Sequence, residues 1–331
     1  MIFMVLILSI FSICAGSSNI KPYQIVKAVF GYETGIPSIV IWNIRMPRVI
    51  AAIVAGAGLS VAGCVMQNNL KNPLASPSTL GVSSAAAFGA NMAIIVFGAG
   101  SIQSTSSDAV IINNPYAVTL SAFVWSMAAV CIILSLARLK DFSPEAMVLA
   151  GVALSSLFSA GSTLIQYFAQ DTQVAAAVFW TFGDLGRASW NEVILMSVIV
   201  AAAMIYFMMR RWDYNALDSG QESAKGLGVN VERVRLGGMF MSSLITAAVV
   251  SFLGMIGFIG LIGPQIIRRV LGSDHRFLIP ASALMGAALL LVSDTAARII
   301  ISPIVLPVGA ITSFLGAPLF LYLLMRGYKK A

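Results

Sequence analysis

Residues 236–267 read LGGMFMSSLITAAVVSFLGMIGFIGLIGPQII and carry no charge over the whole stretch. As one helix the stretch would measure about 48 Å at ~1.5 Å per residue, against a bilayer hydrocarbon core of ~30 Å. It must fold back, and Gly254, Gly257, Gly260 and the pair Gly263-Pro264 mark the break. The rest of the chain has the same character. Its 331 residues are 59% hydrophobic and 10% charged, with a mean hydropathy of +0.91, whereas a soluble domain carries about 25% charged residues. A water-soluble globular fold is excluded. Membrane helices of ~20 residues use nearly all the apolar residues and leave no room for a sizeable soluble domain.

Outward from this stretch, uncharged runs predict ten spans, near residues 1–16, 49–69, 80–99, 115–137, 145–168, 190–209, 236–255, 258–271, 278–298 and 306–325. The expected fold class is all-α: one polytopic membrane domain over 1–331 with about ten transmembrane helices. The opening MIFMVLILSIFSICAGSS has no basic residue before Lys21 and reads as a short first helix rather than a cleaved signal. Placing the N-terminus inside puts 14 of the 20 basic residues on the cytoplasmic side, so both termini are expected there. The net charge of +7 is thus read as topology and not as affinity for nucleic acid. Two halves of five spans would run in opposite senses, as in inverted-repeat transporters.

Chemistry internal to the chain is hard to assemble. Cys14, Cys64 and Cys131 lie far apart in apolar runs, and His275 is the single histidine, so no metal site is expected. No phosphate loop is present, so ATP hydrolysis is not expected on this chain. No nucleophile with a base and an orienting acid can be drawn from these residues, and an enzyme is not expected. None of the spans has a charge at mid-depth, which speaks against an ion-coupled secondary transporter, the rival class.

Three features invite function. The loop from Arg210 to Arg235 is polar and helix-capable, with Asp218 and Ser219 as candidate caps. The fifth span carries Ser155, Ser159, Ser162 and Gln166 within about a 60° arc, a stripe that lines a wet pathway or packs against neighbouring helices. Small residues recur at Ala52, Gly56, Ser60 and Cys64, and again at Gly254, Gly257, Gly260 and Gly263, which permits close helix approach. Tyr167, Trp180 and Trp190 read as interfacial anchors.

Within the loop, Glu222-Ser223-Ala224 followed by Gly228 resembles the coupling motif of ABC importer membrane subunits. Residues 45–90, RMPRVIAAIVAGAGLSVAGCVMQNNLKNPLASPSTLGVSSAAAFGA, resemble the signature region of FecCD-type permeases, which serve importers of iron-siderophores, heme and cobalamin. VLAGVALSSLFSA (148–160), FWTFGDLGRASW (179–190), GFIGLIGPQIIRRVLGSDHRFLIP (257–280) and LPVGAITSFLGAPLFLYLL (306–324) continue the resemblance in family order, over nearly the whole chain beyond Lys21. Gln221 departs from a frequent glutamate and Gln265 from a frequent histidine.

The resemblance implies a type II importer permease in the cytoplasmic membrane of a prokaryote. It would form a homodimer in the lipid bilayer, served by two ATP-binding cassette subunits that bind the ATP and Mg, and by an extracytoplasmic substrate-binding protein. Gly220, Gln221, Glu222, Ala224 and Gly228 would couple to the ATPase. Arg45, Arg48 and Arg298 would receive carboxylates of the binding protein, although the same arginines could simply anchor helix ends, and Asp294 stands four residues before Arg298. Asn72, Leu74 and Ser143 would form the inner gate, and Ser155, Ser159, Ser162 and Gln166 would line the pathway. The implied cargo is a metal chelate, first iron(III)-siderophore, with cobalamin, heme or molybdate as alternatives. No cofactor is expected on this chain.

Overall fold

The computed structural model describes residues 1–15, 22–29, 32, 35–99, 114–139 and 144–327, and the regular structure of these residues is entirely helical. The helices are α1 (Ile2–Cys14), α2 (Pro22–Val29), α3 (Ile36–Val40), α4 (Met46–Asn69), α5 (Val82–Asn91), α6 (Pro115–Leu139), α7 (Pro144–Tyr167) and α8 (Asp171–Thr181). They continue with α9 (Trp190–Met209), α10 (Arg211–Asp218), α11 (Gln221–Gly226), α12 (Val231–Leu253), α13 (Ile259–Leu271), α14 (His275–Ile299) and α15 (Val308–Gly327). A π segment, Ile41–Arg45, joins α3 to α4, so one helix runs from Ile36 to Asn69.

Local chemistry explains the helix starts. Asn114 accepts from the Ala117 amide at 3.1 Å ahead of Pro115, and Asn230 accepts from Arg233 at 3.0 Å ahead of Val231. Both satisfy amides that have no partner within the helix. Asp274 does the same for α14 through the Arg276 amide. The break in the 236–267 stretch falls at Gly254 (φ 79°) through Phe258 (φ 65°), and Pro264 lies inside α13.

Among the described residues, six helices are long and apolar enough to cross a membrane: Ile36–Asn69, Pro115–Arg138, Pro144–Tyr167, Trp190–Met209, Val231–Leu253 and His275–Ile299. Ile2–Cys14, Val82–Val96 and Val308–Tyr322 are shorter apolar helices. The eighth expected span, 258–271, is α13, with 13 residues that include Arg268 and Arg269 in its last turn.

The chain groups into two compact units that interleave along the sequence. One comprises 1–64, 184–208 and 256–331, and the other 65–183 and 209–255. In the first, Gly56, Ser60, Gly260 and Gly263 of the predicted stripes permit close approach. Gly56 meets Gly286, Gly63 meets Gly260, and Gly263 meets Ser60, each so closely that a Cβ would strike its neighbour. Backbones can approach this far only where side chains are minimal. In the second, α5 packs on α6, α7, α8 and α12, and Ser121 Oγ donates to the Gly89 carbonyl at 2.7 Å across one of these contacts. Trp180 is not an interfacial anchor. It is 3% exposed and packs with Ala86, Ala90, Ile94 and Val250.

Candidate functional site

The arginines expected at a docking rim lie in the first unit and are buried: Arg45 is 5% exposed, and Arg48 and Arg298 are each 8% exposed. The cause is the early start of the helix at Ile36, which makes Arg45 and Arg48 interior residues of a helix rather than its end. Asp294, fully buried, divides its two oxygens between them, with Arg48 Nε at 2.8 Å and Arg298 Nε at 3.0 Å. Asp184 adds a second carboxylate 3.4 Å from Arg48.

The remaining donors close the end of α1. Arg45 Nη1 donates to the carbonyl of Ile13 at 2.7 Å and of Cys14 at 3.3 Å. Arg298 donates to the Ala15 carbonyl at 2.6 Å and to Ser12 Oγ at 2.6 Å. Last-turn carbonyls with no helical partner are thus met by cations, the sign that end of a helix favours. Of these contacts only Asp294–Arg298 is set by helix spacing; the pairing of Asp294 with Arg48 joins residues 246 apart in sequence.

The residues expected to couple to an ATPase lie in the second unit. α11 is a six-residue helix set between Gly220 (φ 111°) and Gly228 (φ 80°). Space is open at both positions, since only Ser223 Oγ at 3.9 Å would face a Cβ on Gly220 and nothing would face one on Gly228. Glycine is needed there for its backbone conformation. Ala224 is fully buried and turns the other side of α11 outward. Glu222 is exposed there and pairs with Lys225 at 3.2 Å, while Gln221 and Leu227 are exposed beside it. Leu227 at 72% and Trp212 at 56% exposure are apolar groups on this loop that sequence reasoning passed over.

Asp218 and Ser219 do not start a helix: Asp218 ends α10 and Ser219 follows it. The Asp218 carboxylate accepts instead from Asn68 Nδ2 at 2.7 Å and lies 3.3 Å from Lys71 Nζ. The residues expected to form the gate follow directly. Asn72 Oδ1 accepts from the Leu74 amide at 2.9 Å, an Asx turn that fixes the bend at Pro73, and leaves Leu74 45% exposed. Ser143 lies outside the described residues.

The polar stripe runs along α7, with Ser159 exposed and Ser155, Ser162 and Gln166 half-buried. Gln166 Nε2 donates to Asn91 Oδ1 at 2.9 Å, and Ser155 lies against Gly81. The stripe therefore borders the packed side of α7 rather than standing fully open. α7 is also the least covered of the six long helices, with 11% of its apolar window buried against 67% for α12 and for α14.

Comparison with known proteins gives a consistent result. Residues 4–326 match the model of the FecCD transport family. A Methanocaldococcus jannaschii protein provisionally named as an ABC transporter permease is 58% identical over 322 residues, covering 97% of this chain and 92% of that protein. The hemin transport system permease protein HmuU of Yersinia pestis is 38% identical over 288 residues, covering 86% of this chain and 83% of that protein. A solved structure, described as an inward-facing conformation of a provisional metal-chelate type ABC transporter, matches with a TM-score of 0.82 at 28% identity and covers 98% of this chain and 96% of that one.

Proposed function

This chain belongs to the FecCD transport family, and from that premise we propose that it is the membrane-spanning subunit of an ATP-binding cassette importer for a metal chelate, with an iron(III)-siderophore as first candidate and heme or cobalamin next. It is a multi-pass membrane protein. The observation that carries the reading is α11: a short helix held between two glycines of positive φ, with one face buried through Ala224 and the other offered through Glu222 and Leu227. A separate ATPase can grip such a helix without disturbing the fold beneath it.

The assembly follows in the same terms. Two copies join through surface that each leaves uncovered along α7, and the chelate passes beside Ser155, Ser159, Ser162 and Gln166. A wide, mildly polar passage suits a bulky chelate better than a tight site does. In this reading α11 and the gate residues face the cytoplasm together with both termini, in the cytoplasmic membrane of a prokaryote. The binding protein docks on the surface that Arg45, Arg48 and Arg298 hold in shape from beneath. ATP closes the two cassette subunits, and the resulting movement of α11 opens and shuts the passage.

The test is co-purification with a cassette subunit, repeated with Glu222→Ala and Gly228→Ala. Reduced transport-linked ATP turnover with normal membrane insertion supports the reading. Normal coupling in both variants removes α11 from the contact.

A further inference from the structure

The second unit contains a direct physical path from the coupling helix to the gate and on to the pathway helix. It begins where α10 ends. Asp218 is three residues before Gln221, the first residue of α11, with Ser219 and Gly220 between them. Its carboxylate holds Asn68 at 2.7 Å, and Asn68 also donates to the Tyr214 carbonyl at 3.3 Å. Lys71 Nζ lies 3.3 Å from the same carboxylate oxygen and donates to the Leu217 carbonyl. The last turn of α10 thus grips the last turn of α4 and Lys71, two residues beyond it. A lysine at a helix C-terminus has the favourable sign.

Lys71 sits at φ 47°, a left-handed conformation that lysine rarely adopts, and this turns the chain into Asn72-Pro73-Leu74. The other end of this connection is fastened to α7. A Cβ on Gly151 would lie 2.8 Å from Leu80 Cα and 3.1 Å from the Thr79 carbonyl, and one on Gly81 would lie 3.0 Å from Ser155 Oγ. The loop is therefore pinned to α10 at its start and to the pathway helix at its end.

We propose that Asp218 is a positioning residue for transport: it makes α10, the exit of α4 and the Asn72–Leu74 tip move as one piece, so that displacement of α11 is delivered through the loop to α7. The inference rests on the importer reading above and adds the residues that transmit the motion. The strong half of the grip is the bond from Asn68, which is 2% exposed and donates to a carboxylate. The ion pair is weaker, because the Lys71 and Asp218 side chains are 39% and 35% exposed and share their field with water.

A merely structural role predicts lost assembly, whereas a transmitting role predicts lost coupling, and the experiment separates them. The chain is reconstituted with its cassette subunits and binding protein, and transport per ATP hydrolysed is measured for Asp218→Ala, Asn68→Ala and Asp218→Glu. A spin label at position 74, with Cys14 and Cys131 replaced by serine, reports the mobility of the gate with and without nucleotide.

Asp218→Ala and Asn68→Ala are expected to keep co-purification and basal hydrolysis within about twofold. Their transport per ATP falls by about tenfold, the equivalent of one charge-assisted hydrogen bond, and the label no longer responds to nucleotide. Asp218→Glu, which keeps the carboxylate, regains part of both. Wild-type transport per ATP and a wild-type label response in Asp218→Ala and Asn68→Ala overturn the proposal. So does a loss of coupling that always tracks lost assembly, checked with the gentler Asp218→Asn if the alanine variant does not assemble. ATP-independent transport by the unaltered chain would overturn the importer reading instead, so the two failures can be told apart.

Discussion

The arginine cluster of the first unit and the coupling loop of the second both concentrate charge, yet they handle it in opposite ways. Asp294 is fully buried between two guanidiniums, and each of the three arginines is at most 8% exposed. Glu222 has a side chain 87% exposed and one partner, Lys225, that is itself 53% exposed. Charges withdrawn from water need every donor and acceptor matched, so the cluster is stiff. Charges left in water cost little to rearrange, so the loop is free to accept a partner's contacts. The contrast separates a region that holds its shape from one whose side chains stay open to contact.

Substitutions can break or sharpen this contrast. The largest effect is expected for Asp294→Asn, which leaves two buried guanidiniums facing each other with no anion between them. It should cost about 3–5 kcal/mol of stability, read as a drop in unfolding temperature of the purified protein, and an unchanged transition would mean that Asp294 is a bystander. Gly286→Ala drives a methyl into the Gly56 carbonyl and the Ser60 side chain, with an expected loss of about 1–3 kcal/mol in the same assay.

The loop should behave otherwise. Gly228→Ala meets open space but an unfavourable φ of 80°. About 1 kcal/mol of local strain is expected, with the unfolding transition nearly unchanged and transport-linked ATP turnover reduced. Smallest of all, Lys225→Ala should alter stability by under about 0.5 kcal/mol. A larger shift would show that the loop is as tightly held as the cluster.

Much of the fold was legible because membrane helices leave long apolar runs, and bilayer thickness demands a break within 236–267 that the glycines from Gly254 onward place. What escaped had nonlocal causes. Arg45 and Arg48 interrupt an apolar run, so the span was placed after them, at 49; the helix in fact starts at Ile36 and encloses both. Their burial depends on Asp294 and on α1, which no local pattern ties to them. Trp180 has the composition of an interfacial residue but faces alanines of other helices that make room for it. Asp218 reads locally as a cap, and its bond to Asn68 crosses 150 positions. At α11, by contrast, the glycines carry their own conformational signal, and the small helix between them was accessible from the sequence.

The claim on which the account depends is that this chain moves solute only when driven through α11 by a separate ATPase. The most direct measurement is uptake of a ferric siderophore or hemin by proteoliposomes holding the chain, its cassette subunits and its binding protein, with each component and ATP omitted in turn. Uptake only when all are present, and its loss in Glu222→Ala, is the result expected. Uptake by the chain alone, driven by an ion gradient without ATP, would contradict the account.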